Sequence, residues 1–197
     1  MILEFLKSWL RDLKRHYILS ISKKIVVGSA YIPTSGWLLT DKDTLDITKR
    51  EFFSRYWRPN TMSIFLAEHV WEHLTLEEST KAMKNCYEFL RKGGRLRIAV
   101  PDGFHPDPQY IEYVRPDGTG FGSDDHKVLY NYHSISLELE QAGFQIKLLE
   151  YWDERGEFNF QDWSSEDGHI VRSKRYDKRN QGGALAYTSL IVDGIKQ

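Results

Sequence analysis

The 197-residue chain has one cysteine, Cys86, so no internal disulfide can form and a reducing, cytoplasmic setting is the expectation. It has no apolar run near the ~20 residues that a membrane-spanning helix needs. It has no excess of either charge sign: 27 Lys and Arg stand against 28 Asp and Glu, a net charge of -1. That balance argues against an extended nucleic-acid surface, and no nucleic-acid partner is expected. Internal repeats and low-complexity tracts are absent too. What remains is ordinary for a globular chain, with 41% hydrophobic and 28% charged residues. The length suits one domain with a sizeable core. Aromatics are plentiful, with 6 Trp, 11 Tyr and 10 Phe to fill a core or line a cleft.

Residues 1–22 form a separate unit. Ile2, Leu6, Trp9, Leu10, Leu13 and Tyr17 recur at helical spacing, while Lys7, Arg11, Lys14 and Arg15 lie largely off that stripe. Glu4, Lys7, Arg11 and Asp12 interrupt any signal-peptide core. An amphipathic helix of this kind packs on its own domain or lies on a membrane surface. The first is the expectation.

From residue 23 onward, short apolar runs alternate with helical patterns, the mark of an α/β domain. Residues 24–28, 37–40, 62–67, 95–100, 145–152 and 185–195 read as strands. Residues 46–57 read as a helix capped by Asp46. Thr75 and Glu78 form a capping box that opens a helix to about Leu90, which Gly93-Gly94 stops. Residues 103–125, rich in Pro, Gly and Asp, read as a long loop. Residues 133–144 are a helix ended by Gly143, and residues 153–183 an insertion before the last strand.

Five segments occur in order: "VVGSA", "GWLLTD", "FLAEHVWEHL", "LRKGGRLRIAVPDG" and "LEQAGF". Together they resemble the class I S-adenosylmethionine-dependent methyltransferases, and more closely a short predicted-methyltransferase branch of that superfamily. The resemblance covers roughly residues 24–195. It implies a Rossmann-like, mostly parallel sheet with an antiparallel C-terminal edge and helices on both faces. It also implies S-adenosyl-L-methionine as cofactor. Gly28, Ser29 and Ala30 would border its methionine part, and Asp41 would hold the ribose. Asp46 and Ile47 would lie by the adenine, and Ala67, Glu68 and His69 would line the remaining wall. The family's turn is G-x-G-x-G; here it is G-S-A-Y-I, with Ala30 in place of the second glycine. Only seven residues separate Gly28 from Gly36, below the ~10–12 of a helical crossover. A shortened first crossover follows.

Candidate chemistry falls in three places. Methyl transfer needs in-line positioning and, for a protonated acceptor, a base. Asp102, after a strand end, and His126, after the long loop, are the candidate bases. In the insertion, Arg172, Asp177, Arg179 and Asn180 are candidate contacts to an anionic or sugar-like acceptor, with Trp152, Phe158, Phe160 and Trp163 as stacking rings. The stretch "HVWEH" also fits the His-x-x-Glu-His of inverted zinc peptidases, with His69 and His73 as ligands and Glu72 as base. A peptidase needs a long helix there, yet Thr75 already starts the next one, so no metal is expected. Methyl transfer to a small-molecule or carbohydrate-linked acceptor leads. A catalytically degenerate binding or scaffold domain comes second and a zinc hydrolase third.

Overall fold

The computed structural model describes residues 17–28, 36–180, 182 and 185–197. The expectations for residues 1–16, and for Ser29, Ala30 and the shortened crossover, lie outside these residues. Within them, residues 17–21 are helical, and Leu19 is buried beneath the Trp57 indole, which donates to its carbonyl at 2.7 Å.

Among the described residues, seven strands make one sheet: β1 (Lys24–Val27), β2 (Leu38–Leu39), β3 (Met62–Glu68), β4 (Leu90–Pro101), β5 (Gln145–Trp152), β6 (Phe158–Phe160) and β7 (Ser189–Ile195). Their order is β2-β1-β3-β4-β7-β5-β6. The first four are parallel; β7 runs antiparallel between β4 and β5, and β6 is an antiparallel edge. Side chains alternate across the sheet as the two-residue strand period dictates. Ile25, Val27, Phe65, Ala67, Ile98 and Val192 join the larger core cluster, and Val26, Leu66, Ala99 and Ile191 the smaller one.

The larger cluster is covered by α1 (Arg50–Ser54), α2 (Leu76–Phe89) and α4 (Tyr132–Gln141). α2 begins at the expected capping box: the Glu78 amide donates to Thr75 Oγ1, and the Thr75 amide to the Glu78 carboxylate. The smaller cluster is closed by the segment after β6, through Trp163 and Ile170. Arg97 and Asp193, each 1% exposed, tie that segment to the sheet. The guanidinium meets the carboxylate through two bonds of 2.7 and 2.8 Å, and its third nitrogen donates to the carbonyls of Ser164 and Gly168.

Three sequence expectations change. The helix expected at 46–57 shortens to five residues, and Asp46 does not cap it. Its carboxylate instead takes the Thr48 amide and hydroxyl, at 3.1 and 2.6 Å, closing a local turn. Gly93-Gly94 does not stop α2: the chain turns into β4 at Leu90, and Gly93, at φ +73°, sits within the strand irregularity opposite Met62 and Ile64. The 103–125 loop contains α3 (Pro108–Val114), opened by the Asp107 side chain with proline in the first turn.

Candidate functional site

In an open α/β sheet, ligands bind beyond the carboxyl ends of the strands where the strand order reverses. Here β2 and β3 flank β1 on opposite sides, so that point lies between β1 and β3. A cleft of about 450 Å³ opens there. Its walls are Val27 and Gly28 at the end of β1, the 42–49 turn, and His69, Val70, His73 and Leu74 after β3, with Glu78 and Asp125 at the rim. Gly28 has φ +63°, and a Cβ on it would lie 2.6 Å from the Val70 γ-methyl. Both the turn and the packing therefore require glycine.

Of the residues expected at the cofactor, Gly28, Asp46, Ile47 and His69 line this cleft. Asp46 is buried, and burial raises its pKa; the Thr48 bonds and the Lys49 ammonium, 3.1 Å away, outweigh that and lower it overall. Asp41 is exposed, with Oδ1 accepting from the Thr44 amide at 2.9 Å and its hydroxyl at 2.5 Å. It braces the turn that carries Asp46. Ala67 is buried within the sheet core. Glu68 turns to the insertion, accepting from the amides of Val171 and Arg172 at 3.0 and 2.8 Å.

A second cleft, of about 280 Å³, adjoins the first and, among the described residues, shares His69 with it. Tyr113, Val114 and Phe121 from the α3 region, His126, and Arg172, Arg179 and Tyr187 complete it. The structure thus brings His126, Arg172 and Arg179 together. Asp177 holds Arg179 in a two-point bond of 2.9 and 2.6 Å, and the guanidinium lies 3.5 Å from the centroid of Tyr187. Burial pushes the Tyr187 hydroxyl up to about 12, so it stays a neutral donor at physiological pH. Asn180 accepts from the Tyr187 amide at 2.9 Å and donates to its carbonyl at 2.7 Å, a brace rather than a wall. Trp152, Phe158, Phe160 and Trp163 line neither cleft.

His69 is held unusually. Its φ is +55°, a conformation that a non-glycine residue adopts only where its surroundings fix it. Its amide donates to Ala99, Nε2 stands 3.0 Å from Ser189 Oγ, and Nδ1 stands 3.0 Å from Glu72 Oε1. Glu72 is fully buried. Burial raises its pKa, but the neighbouring imidazoles, His69 first, outweigh this and keep it low.

Asp102 stands apart from both clefts. It is fully buried, and its oxygens accept from the Phe104 amide at 3.0 Å and the Trp152 amide at 2.8 Å, joining the end of β4 to β5. Burial lifts its pKa to about 6, against the pull of those two bonds. This geometry fits a brace rather than a base. The zinc-peptidase arrangement is absent from these residues, because Trp71–His73 is a single 3-10 turn and no helix presents His69 and His73 on one face.

Lys42, Thr48, Tyr113 and Tyr187 are cleft residues that the sequence reading missed. Tyr187 had a usable signal. β7 is antiparallel, with Ser189 opposite Pro101, so the residues just before it reach the same edge as the end of β4.

No protein-family model and no curated protein matches the chain. Solved structures do match in fold. A SAM-dependent methyltransferase from Thermotoga maritima, described as a possible histamine N-methyltransferase, aligns over 98% of this chain and 97% of its own, at 11% identity and TM-score 0.52. A SAM-dependent methyltransferase from Archaeoglobus fulgidus aligns over 96% of this chain and 91% of its own, at 15% identity and TM-score 0.48. The chain has the Rossmann-like fold of SAM-dependent methyltransferases.

Proposed function

We propose that the chain transfers a methyl group from S-adenosyl-L-methionine to a small, anionic or sugar-linked acceptor in the cytoplasm. The observation that carries this reading is the meeting of two clefts across one residue, His69, at the switch point of the sheet. The first cleft has a size that small ligands fill, and its residues fit this cofactor. Gly28 leaves the backbone approachable, Ile47 and Leu45 offer an apolar wall, and the buried, ionised Asp46 can accept from ribose hydroxyls. Bound there, the cofactor supplies an electrophilic methyl carbon.

The chain's own residues do the rest. Arg172 and Arg179 orient the acceptor's anionic part, with Asp177 fixing the plane of Arg179. His69 takes the acceptor's proton. With Nδ1–H turned to Glu72, the lone pair lies on Nε2, where the Ser189 hydroxyl stands at 3.0 Å; the acceptor takes the place of that hydroxyl when it gives up its proton to Nε2. Glu72 is a positioning residue for that tautomer. Asp102 keeps the rear wall in place without meeting the substrate.

Proton abstraction by a positioned base contributes about 10²–10⁴-fold. His69→Ala should therefore lower transfer of a labelled methyl group to a small-molecule extract by at least about 10²-fold, while S-adenosylhomocysteine still binds. Undiminished transfer would remove His69 from this role. Ala30, standing where the family has glycine, favours a second reading in which the chain binds without catalysis. Cofactor binding with no transfer to any extract fraction would support that reading.

A further inference from the structure

Between the two clefts lies a group of side chains that the His69–Glu72 contact leaves only partly satisfied. Glu72, His73 and His126 each present a ligand atom within 4.8 Å of the others. Both Glu72 oxygens are buried without an aligned hydrogen-bond donor among the described residues; His69 stands at ion-pair distance from Oε1 only. His73 Nδ1 is likewise buried without such a partner, 3.3 Å from Asp125 Oδ2. A buried carboxylate left in this state costs stability unless something positive meets it.

His126 is oriented for one task. Its Nδ1 lies 2.7 Å from the Val114 carbonyl and donates to it, which leaves the lone pair on Nε2. Metal-binding histidines are held by that same kind of outer bond. The main chain clamps the group as well: the Lys127 amide donates to the Glu72 carbonyl at 2.6 Å. The residue after His126 is thus tied to the residue before His73. The two imidazole rings meet edge to face, 4.8 Å between centroids.

We propose that Glu72, His73 and His126 bind one borderline divalent transition-metal ion, with zinc, cobalt and nickel as the fitting class. Two imidazoles and one carboxylate suit these ions rather than calcium or magnesium. Ligand atoms around tetrahedral zinc stand ~3.3 Å apart, so the group closes by roughly 1.5 Å at most on binding. The partly exposed His73 and His126 can do this by rotating. Asp125, beside His73, is placed to supply a fourth ligand. The ligand set differs from the peptidase pattern: His69 is excluded and His126, 53 residues after His73, takes its place. The ion would sit in the wall between the clefts, since His73 lines the first and His126 the second.

The site stands independently of the methyltransferase reading, and its test needs no cofactor. The full chain, freed of metal by chelator, is titrated with zinc chloride alone, and with cobalt(II) chloride while the visible spectrum is recorded. One equivalent should bind, with a cobalt spectrum of nitrogen–oxygen ligation. His73→Ala and His126→Ala should each weaken binding at least about tenfold. His133→Ala, at an exposed His133–Glu154 pair, should leave it unchanged. Circular dichroism establishes that each variant is folded, and His126→Gln serves if His126→Ala is not. No binding at millimolar metal to the folded chain overturns the site. So does binding that survives loss of either histidine, or that is lost with His133.

Discussion

Gly28 allows the geometry of the cofactor cleft to be tested without any knowledge of the acceptor. Gly28→Ala places a methyl group in a residue at φ +63°, which costs about 1–2 kcal/mol for an L side chain. The same methyl lies 2.6 Å from the Val70 γ-carbon, an overlap that costs about 1–3 kcal/mol in a packed site. The single variant should therefore lose roughly 2–5 kcal/mol by urea denaturation. In a Val70→Ala background only the backbone part remains, so the same change should cost about 1–2 kcal/mol. The coupling between the two positions is then about 1–3 kcal/mol, well above the ~0.5 kcal/mol scatter of independent sites. If Gly28→Ala costs the same in both backgrounds, Val70 does not pack over the end of β1, and the shape given to the cleft is wrong.

Three other outcomes follow from named contacts. Asp102, raised to about 6 from 3.8, stabilises the fold most below its unfolded pKa, and that contribution is lost as pH rises through about 6. The stability of the wild type relative to Asp102→Asn should thus fall by about 3 kcal/mol between pH 3.5 and 7, as read by denaturant melts; a difference constant with pH would contradict the buried placement. Asp193→Ala leaves the fully buried Arg97 unpaired and should cost about 3–5 kcal/mol, with a loss under about 1 kcal/mol as the contrary result. Asp46→Ala should weaken S-adenosylhomocysteine binding at least about tenfold, the loss of a hydrogen-bonded charged group, and Asp41→Ala should weaken it less. The reverse order would return the ribose to Asp41.

What was legible in the sequence was what local rules decide. The Thr75–Glu78 box, the apolar strands and the glycine ending α4 depend on neighbours a few residues away, and all three stand in the structure. Asp102 was not legible. At a strand end an aspartate reads equally well as base or brace, and only the arrival of the Trp152 amide, 50 residues later, decides. The same holds for Glu68, whose partners Val171 and Arg172 lie over 100 residues away. Asp46 misled in another way: its carboxylate found Thr48 two residues on before it could cap a helix. The Glu72–His73–His126 group proposed to bind a metal is only partly visible in the sequence, since "HVWEH" holds two of its members. The third comes from a distant segment that main-chain bonds from Lys127 and Val128 to the Glu72 carbonyl bring near.

Calorimetric titration of the purified chain with S-adenosylmethionine and S-adenosylhomocysteine reads out whether the β1–β3 cleft receives the cofactor. Saturable one-to-one binding of both, weakened by Asp46→Ala, is the expected result. No heat of binding at millimolar ligand, from a chain shown to be folded, would contradict it.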